Sequence, residues 1–436
     1  MVIASIDIQH GQVVQLKQGR DLVLQQDNAA QLAETFDRYG EVAVIDLDGA
    51  MGTGSNLDMI KPLLRKAACR LGGGIKTLEQ ARYLVSLGAQ QIIIGSRAFR
   101  DPPGTGRDGG TLRLRTDFLQ ALAKEIGRER VMVAVDARKN ETGNYEIVID
   151  GWKTPTGLPL IETAQAAEPF VAGLLFTCVE REGTMTGIDM AGVGRLREGI
   201  SCGLTVAGGV STLEEIEALA VLGCDVQLGM ALYTGRIDLG EAFIRSLNWQ
   251  KGPSPQGALL PVIAQSSDGQ VMMTGFADQE AVAASFSRGT LCFHSRTRNT
   301  LWMKGERSGN TLKLLRLRAD CDRDALLAVV EAAGPVCHTG AYSCFETGRR
   351  YTWEYLQSII ADRFCNPTPG SYTATLDDKL VREKIMEEAE EVCTAKTHAE
   401  VVWEAADLVF FTTTLMTREG VTVAEVLDEL DRRHKQ

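Results

Sequence analysis

A chain of 436 residues is expected to form two to four domains, since an ordinary domain holds roughly 100 to 200 residues. Hydrophobic residues make up 44% and charged residues 24%, which is normal for packed globular domains and excludes a disordered or fibrous chain. The formal net charge of -11 argues against a nucleic-acid partner.

The start of the chain and its cysteines indicate a cellular location. The opening MVIASIDI is typical of a strand and not of a signal or transit peptide. No apolar run reaches the ~20 residues that a membrane helix needs, so no membrane partner is expected. The ten cysteines are therefore expected to be thiols or metal ligands in a reducing cytoplasm.

The first 248 residues are predicted to form a barrel of eight parallel strands surrounded by helices. Short runs rich in Val, Ile and Leu alternate with helical stretches, as in buried parallel sheets. Eight such units in about 250 residues are typical of a (βα)8 barrel. The predicted strands are 2–8, 43–47, 68–71, 91–95, 131–136, 172–177, 204–207 and 226–229. A Gly- and Arg-rich insertion at 101–115 is expected to be a barrel loop without an assigned role.

The predicted barrel contains an internal repeat that indicates two anion sites. Gly-Gly-Ile-Lys-Thr-Leu-Glu at 73–79 recurs as Gly-Gly-Val-Ser-Thr-Leu-Glu at 208–214, and each copy is followed by a strand that ends in glycine. Backbone N–H groups at such helix starts can bind phosphate. We expect a substrate with a phosphate at each end, although the glycines could serve tight packing alone. The predicted phosphate-binding glycines are Gly73, Gly74, Gly95, Gly208, Gly209 and Gly229.

Two aspartates are candidates for acid–base catalysis in the barrel. Asp7 and Asp136 end the first and fifth predicted strands, and barrel active sites lie at these carboxyl ends. Two carboxyl groups that face each other across a barrel suit a pair of general acid and general base.

These segments resemble the aminoaldose–ketose isomerase of histidine biosynthesis. The similarity rests on SID at 5–7, VIDLDGA at 44–50, LGGGI at 71–75 and AVDA at 134–137. The resemblance implies an Amadori rearrangement of the phosphoribosyl-formimino intermediate, with Asp7 as base, Asp136 as acid and Thr177 polarising the substrate. Gln15, Cys178 and Glu182 depart from the family pattern, which leaves a catalytically inactive scaffold barrel as the alternative.

Beyond the barrel, the chain is predicted to form two smaller domains. A linker rich in Gly, Pro and Ser covers 249–257, and a small α+β zinc domain is expected at 258–347. An all-helical domain is expected at 350–436, with helices at 351–364, 379–394, 398–418 and 423–433.

The small domain contains candidate ligands for two metals. Asp320, Asp322 and Asp324 alternate along the chain, so an extended strand would direct their carboxylates to one side, where they suit Mg²⁺. Three thiols are candidates for zinc: Cys321, Cys337 and Cys344. Three thiolates leave a fourth zinc position for water, whose pKa zinc lowers to about 7. Buried free cysteines are the alternative.

The same region resembles phosphoribosyl-AMP cyclohydrolase. The similarity lies in HSRTRNTLWMKGERSGN at 294–310, in the Asp-Cys-Asp-x-Asp block and in CHTG at 337–340. It implies attack of a zinc-bound hydroxide on the six-position carbon of adenine, which opens the ring. It also implies His338 as a proton shuttle and phosphate contacts from Arg296, Arg298 and Lys304. His294 and the pair at 341–342 depart from the usual pattern.

The helical domain contains acidic residues at helical spacing. Glu387, Glu388 and Glu391 share one helix face, and Glu404 and Asp407 lie on a later helix that is otherwise apolar. Carboxylates on an apolar helix are costly unless they are paired or bind a metal, which favours a magnesium site between facing helices. For the first three alone, a solvated acidic face is the alternative.

These helices resemble phosphoribosyl-ATP pyrophosphohydrolase. The similarity rests on SYT at 371–373, on 384–391 and on EAADL at 404–408. It implies a magnesium-activated water that releases pyrophosphate, a phosphate contact from Lys384, and a homodimer.

The three resemblances correspond to consecutive steps on phosphoribosyl nucleotides, in reverse chain order. The sequence therefore predicts a trifunctional enzyme of histidine biosynthesis that uses Zn²⁺ and Mg²⁺. A bifunctional hydrolase with a scaffold barrel is the first alternative. A regulatory nucleotide-binding protein that keeps its metal sites for folding is the second.

Overall fold

The computed structural model describes residues 1–100, 112–251, 259–345, 348–367 and 370–434. Most of the Gly- and Arg-rich insertion and most of the predicted linker lie outside these ranges. The chain forms two compact units, one of Met1–Ser267 with Val271–Phe345 and one of Asp268–Gln270 with Glu346–Gln436. In the described part of the chain, no helix is both long and apolar enough to cross a bilayer.

The first unit begins with a closed barrel, as predicted. Eight parallel strands run in the order β1, β4, β5, β6, β7, β11, β12, β13, and β13 pairs with β1 to close the sheet. All eight predicted strands are confirmed, within two residues at either end. The strands are β1 (Val2–Gln9), β2 (Gln12–Lys17), β3 (Asp21–Gln26), β4 (Val42–Asp46), β5 (Cys69–Gly72), β6 (Gln91–Ile94), β7 (Val131–Ala134), β8 (Ala137–Lys139), β9 (Tyr145–Ile149), β10 (Thr154–Pro159), β11 (Gly173–Thr177), β12 (Gly203–Ala207) and β13 (Asp225–Leu228).

Five strands outside the barrel were not expected from the sequence. β2 and β3 extend from β1 as an antiparallel hairpin, and β8, β9 and β10 form a small antiparallel sheet after β7. Both additions begin at the carboxyl end of a barrel strand. They therefore lie at the end of the barrel where active sites are found.

Helices cover the outside of the barrel. They are α1 (Ala29–Asp37), α2 (Leu47–Met51), α3 (Leu57–Lys66), α4 (Leu78–Ser86), α5 (Thr116–Ile126), α6 (Leu160–Ala167), α7 (Met190–Gly199), α8 (Leu213–Val221), α9 (Met230–Tyr233) and α10 (Leu239–Arg245). The internal repeat is visible in their caps. Thr77 and Thr212 occupy the same position before α4 and α8, and each side chain accepts a hydrogen bond from the third residue of its helix.

The remainder of the first unit is the small α+β domain. It contains β14 (Leu260–Ser266), β15 (Val271–Ala277), α11 (Gln279–Arg288), β16 (Cys292–Ser295), β17 (Thr300–Met303), β18 (Leu312–Ala319) and β19 (Leu326–Ala332). Four strands form a sheet in the order β15, β14, β19, β18, and β16 pairs with β17. The core of this domain includes Phe243, Ile244 and Leu247 from the end of the barrel, so the two domains share one hydrophobic cluster.

The second unit is helical. It consists of α12 (Trp353–Cys365), α13 (Tyr372–Thr375), α14 (Asp378–Thr394), α15 (His398–Arg418) and α16 (Val423–His434). The four predicted helices are confirmed, and the short α13 is additional. The buried core of this helical unit consists of Leu376, Val381 and Phe411.

Candidate active sites

The barrel contains a cavity of about 300 Å³ at the carboxyl ends of its strands. Asp7, Asp136 and Thr177 line this cavity together with all six glycines that the repeat singles out. The closed order of the sheet brings them together, because residues from β1, β5, β6, β11, β12 and β13 meet only when β13 pairs with β1.

Both predicted catalytic aspartates have raised pKa values. Burial raises the pKa of Asp7 to about 6, although a 2.7 Å hydrogen bond from Ser5 Oγ opposes the shift. Burial also raises the pKa of Asp136, which accepts hydrogen bonds from Thr177 and, at 2.9 Å, from Trp152 Nε1. A raised pKa brings a carboxyl group closer to the range in which it can exchange protons with a substrate.

A third carboxyl group, Glu182, lies in the same cavity. Burial, followed by the negative charges of Asp7 and Asp136, raises the pKa of Glu182 to about 8. At neutral pH this side chain is therefore protonated and can donate a proton or a hydrogen bond. The sequence indicated Glu182 only as a departure from the family pattern, and its neighbours could not be deduced without the fold.

Three loops meet at the cavity. The backbone N–H of Gln18, after β2, donates to the carbonyl of Glu182 at 3.0 Å, and Gln18 Nε2 donates to the carbonyl of Glu180 at 3.1 Å. Trp152, between β9 and β10, packs so closely on Gly19 that a Cβ on Gly19 would lie 2.8 Å from its ring. These contacts hold the turn after β2, the loop of Glu182 and the turn of Trp152 together at the cavity.

The duplicated glycine pairs are required by close packing. Gly73 and Gly208 have φ values of +103° and +91°, and a Cβ on Gly73 would lie 2.1 Å from the carbonyl oxygen of Asp46. Packing alone thus explains the residue type, and phosphate binding stays a prediction. Lys76 and Arg97 also line the cavity near the first pair and provide cations that the sequence analysis did not identify.

The three aspartates of the small domain form a cluster whose carboxylate oxygens lie within 4.8 Å of one another. The expectation of an extended strand is wrong, because the cluster occupies the loop between β18 and β19. Asp320 Oδ1 accepts hydrogen bonds from the backbone N–H groups of Asp324 and Ala325 at 3.0 and 3.1 Å, and this turn brings the carboxylates together. Three hard oxygen donors fit Mg²⁺.

The three predicted zinc thiols are not together within one chain. Cys337 and Cys344 are neighbours at hydrogen-bonding range, whereas Cys321 is exposed on the aspartate loop. Among the residues that the structure describes, the groups of three or more possible metal ligands are two carboxylate clusters. A hydrogen bond of 3.2 Å from Thr339 Oγ1 lowers the pKa of Cys337, which favours the thiolate that zinc requires.

The other predicted residues of the small domain lie around these thiols and the β16–β17 hairpin. His338 Nδ1 lies 3.8 Å from the sulfur of Cys337. Lys304 is buried, and the charged groups that act on it are the thiols Cys337 and Cys344. Arg296 stacks 3.9 Å from the ring centroid of Phe276, and Arg298 donates to Ser295 Oγ at 3.2 Å.

In the helical unit, Glu388, Glu391 and Glu404 form the second carboxylate cluster, within 4.8 Å. Burial and the negative charges of Glu391 and Asp407 raise the pKa of Glu388, as expected for carboxylates held close together. Glu387 lies outside this group and forms an ion pair with Lys384 at 2.7 Å. The oxygen donors of the cluster fit Mg²⁺.

The apolar residues that flank this cluster are exposed. Trp403 is 70% exposed, Val402 57% and Met386 72%. The predicted apolar character of α15 around Glu404 is therefore present, but this part of the helix is largely exposed. Within the described residues of the helical unit, these apolar side chains are mostly exposed.

Comparison with known proteins agrees with this arrangement. Residues 1–238 match the family described as histidine biosynthesis protein, 273–346 match phosphoribosyl-AMP cyclohydrolase, and 354–434 match phosphoribosyl-ATP pyrophosphohydrolase. The chain belongs to the histidine biosynthesis protein family. It is a multidomain enzyme of histidine biosynthesis with isomerase-like, cyclohydrolase and pyrophosphohydrolase domains, which confirms the three resemblances.

Relatives cover either half of the chain. The 1-(5-phosphoribosyl)-5-((5-phosphoribosylamino)methylideneamino) imidazole-4-carboxamide isomerase of Methanosphaera stadtmanae is 32% identical, over 58% of this chain and 100% of the relative. The isomerase of the same name from Methanocaldococcus jannaschii is 34% identical, over 56% of this chain and 97% of the relative. The histidine biosynthesis bifunctional protein HisIE of Pyrococcus furiosus is 36% identical, over 45% of this chain and 99% of the relative.

Proposed function

We propose that this chain catalyses three consecutive steps of histidine biosynthesis. The helical domain releases pyrophosphate from phosphoribosyl-ATP, the small domain opens the adenine ring of phosphoribosyl-AMP, and the barrel isomerises the resulting aminoaldose to the aminoketose. The observation that carries the proposal for the barrel is the joint presence of Asp7, Asp136 and Thr177 in one cavity between both glycine pairs.

In the barrel, the proposed chemistry is proton transfer. Asp136, with its raised pKa, protonates the ring oxygen of the aminoaldose and opens the ribose ring. Asp7, with a pKa of about 6, is largely ionised at neutral pH and removes the proton from the second carbon, which yields the aminoketose after proton return. The hydrogen bond from Thr177 to Asp136 supports the orientation of this acid. Gly73 and Gly208 with their neighbours would hold the terminal phosphates.

In the small domain, we propose that Cys321, Cys337 and Cys344 hold zinc and that the three aspartates hold magnesium. Bound zinc would supply hydroxide at neutral pH. Cys337 and Cys344 come from one chain, and the exposed Cys321 of a second chain is the proposed third thiolate. His338, beside Cys337, would carry the proton of the attacked ring, and Arg296, Arg298 and Lys304 would bind the phosphates.

In the helical domain, we propose that Glu388, Glu391, Glu404 and Asp407 hold magnesium. Magnesium would supply charge neutralisation on the triphosphate and an activated water. Glu387 holds the Lys384 ammonium at 2.7 Å, so it would position that cation for a phosphate and would not bind the metal directly.

A homodimer is part of the proposal. The exposed apolar side chains around the helical cluster, including Trp403 and Met386, could pack against a second copy of this chain.

The acidic net charge disfavours binding of a nucleic acid. We propose a reducing cytoplasmic location, because none of the ten cysteines, all of which lie in the described residues, forms a disulfide.

The second candidate is a bifunctional hydrolase with a scaffold barrel. It is favoured by Gln15, which departs from the family pattern and whose amide nitrogen is buried with no hydrogen-bond partner among the described residues. Cys178 does not favour it, because this thiol lies outside the residues that line the cavity and is buried 3.5 Å from Tyr145 Oη.

The proposal is tested by supplying phosphoribosyl-ATP, zinc and magnesium to the full chain and separating the products by chromatography. We expect pyrophosphate, the ring-opened aminoaldose and the aminoketose in succession. Products that stop at the aminoaldose would favour the scaffold barrel, and the absence of pyrophosphate would contradict the proposed hydrolase.

A further inference from the structure

One residue of the aspartate loop is buried against the barrel. Arg323 lies between Asp322 and Asp324, yet only 9% of its surface is exposed. Its guanidinium donates to the carbonyl oxygens of Ala220 and Cys224 at 2.8 and 2.7 Å and to Asp225 Oδ1 at 3.2 Å. These acceptors lie at the end of α8, in the turn that follows and at the start of β13, which is the end of the barrel opposite the catalytic cavity.

The backbone of the loop is attached to the barrel at the same place. The carbonyl of Arg323 accepts a 2.8 Å hydrogen bond from the backbone N–H of Asn248. Arg323 has a φ of +64°, in the left-handed region that side chains other than glycine rarely occupy. The left-handed conformation of Arg323 is unfavourable for a residue with a side chain. The hydrogen bonds of its guanidinium offset that conformational cost.

The surface that receives Arg323 belongs to a broad interface between barrel and small domain. Arg316 Nε donates to Asp37 Oδ2 at 2.8 Å, and the N–H of Leu317 donates to the carbonyl of Arg38 at 2.9 Å. The rings of Tyr39 and Phe286 pack with centroids 4.4 Å apart. These contacts hold the small domain, and with it the aspartate loop, in a defined position on the barrel.

We propose that Arg323 is a positioning residue through which the barrel holds the aspartate loop in the conformation that binds a divalent cation. The guanidinium charge is directed toward Asp225 and two carbonyls of the barrel. These contacts attach the loop between Asp320 and Ala325 to the barrel. In the attached loop, the oxygens of its three carboxylates lie within 4.8 Å of one another. This inference rests on the metal role proposed above for Asp320, Asp322 and Asp324.

The test is a titration of the full chain with Mn²⁺ as the probe, read by the electron paramagnetic resonance of free Mn²⁺. The informative variant is Arg323→Gly, because glycine suits the φ of +64° and removes the side chain without opposing the backbone conformation. We expect the affinity of the loop site to fall about 10- to 100-fold, as for other residues that orient metal ligands. Arg323→Lys, which keeps the charge and fewer hydrogen bonds, is expected to have an intermediate affinity.

Two controls define the result. Asp322→Asn identifies which Mn²⁺ sites belong to the loop, since the helical cluster is unchanged in this variant. Arg245→Ala removes an exposed arginine of the barrel that pairs with Glu217 at 3.1 Å, and it should bind Mn²⁺ as the wild type does. If Arg323→Gly does not fold, Asp225→Asn removes a partner of the same contact from the barrel side and is expected to lower the same affinity.

Wild-type Mn²⁺ affinity at the loop site of Arg323→Gly, or no loss of Mn²⁺ binding in Asp322→Asn, would overturn the inference. A wild-type chain that binds Mn²⁺ at the loop without opening the ring of phosphoribosyl-AMP would instead contradict the proposed function and leave the inference standing.

Discussion

The carboxyl groups of the barrel cavity differ in protonation because they differ in surroundings. Burial raises the pKa of Asp7 to about 6 against the opposing hydrogen bond from Ser5, whereas burial and the negative charges of Asp7 and Asp136 raise the pKa of Glu182 to about 8. Near neutral pH the first is therefore mainly ionised and the second mainly neutral. Such a difference lets one site hold both a base and an acid.

Glu182 is expected to set the alkaline limit of the isomerase. As pH rises through about 8, Glu182 ionises beside Asp7 and Asp136 and repels a phosphorylated substrate. The kcat/KM for the aminoaldose should therefore fall on the alkaline side in the wild type, and this fall should be absent in Glu182→Gln. Steady-state rates from about pH 6 to about pH 9 measure it.

Glu180→Gln, on the same loop, is the matched control and should keep the wild-type profile. An unchanged fall in kcat/KM on the alkaline side in Glu182→Gln would contradict this role.

The ionisation of Glu182 also affects the stability of the fold. The pKa of Glu182 is raised from 4.5 to about 8 in the folded state, so its contribution to the free energy of unfolding is fully present below pH 4.5. That contribution decreases as pH rises from 4.5 to about 8.

At the residue scale, the sequence identified groups whose position follows from strand ends. Asp7 and Asp136 could be predicted because each ends a parallel strand of a repeated unit. The pKa of Glu182 could not, since it depends on carboxyl groups that are 175 and 46 positions away along the chain and meet only in the closed barrel. The separation of Cys321 from Cys337 was likewise not visible in the spacing.

At the element scale, the position of each glutamate around the axis of α14 determines whether it joins the carboxylate cluster. Glu387 and Glu388 are adjacent in sequence, but successive residues of a helix point about 100° apart. Glu388 is turned toward Glu391 and Glu404, and Glu387 toward Lys384. The helical spacing predicted a shared face, and the facing helix decided which residues belong to the cluster.

Removing one carboxylate of this cluster should stop pyrophosphate release. We expect Glu404→Gln to lower the rate at least about 100-fold, because one metal ligand and one compensating charge are lost. Ring opening of supplied phosphoribosyl-AMP should be unchanged. Pyrophosphate release and ring opening are measured separately on the same preparation.

Glu390→Gln is the control, because Glu390 lies on α14 outside the cluster and is exposed. It should retain pyrophosphate release. If Glu404→Gln abolished both activities together, the domains would not act independently as proposed.

The elements themselves were largely predictable, and the exceptions have physical causes. The barrel strands were evident because burial on both faces requires continuous apolar runs. The hairpin of β2 and β3 and the small sheet of β8, β9 and β10 carry mixed polar residues, so the hydrophobic pattern alone does not reveal them. The alternating aspartates predict an extended strand, because alternation along the sequence does not distinguish a strand from a tight turn closed by Asp320.

At the scale of the whole molecule, the proposed zinc site depends on a second chain. Cys344→Ala should lose zinc and accumulate phosphoribosyl-AMP, as should Cys321→Ala, because either change leaves two thiolates. Zinc content by mass spectrometry and product analysis measure both effects. Cys365→Ala, which removes an exposed thiol of the helical unit, should keep zinc and activity.

Mixing the two zinc variants distinguishes a shared site from a site within one chain. A mixed dimer of Cys321→Ala and Cys344→Ala restores one complete set of thiols, so zinc and ring opening should return in part after the chains exchange. No recovery in mixed dimers would contradict the shared site.

The order of domains could be predicted from the sequence because each carries its own pattern of ligands and glycines. The interface between barrel and small domain could not, since contacts such as Arg323 with Asp225 and Arg316 with Asp37 join residues far apart in the chain. Pattern analysis detects periodicity within an element and is insensitive to single long-range pairs.

The central claim is that one chain carries three activities, and the barrel tests it most directly. The purified protein is supplied with the aminoaldose, and aldose and ketose are separated by chromatography because they have equal mass. We predict conversion by the wild type and its loss, about 100- to 10,000-fold, in Asp7→Asn, with ring opening of phosphoribosyl-AMP intact. No conversion by a wild-type preparation that still processes phosphoribosyl-ATP to the aminoaldose would contradict the account and leave the barrel as a scaffold.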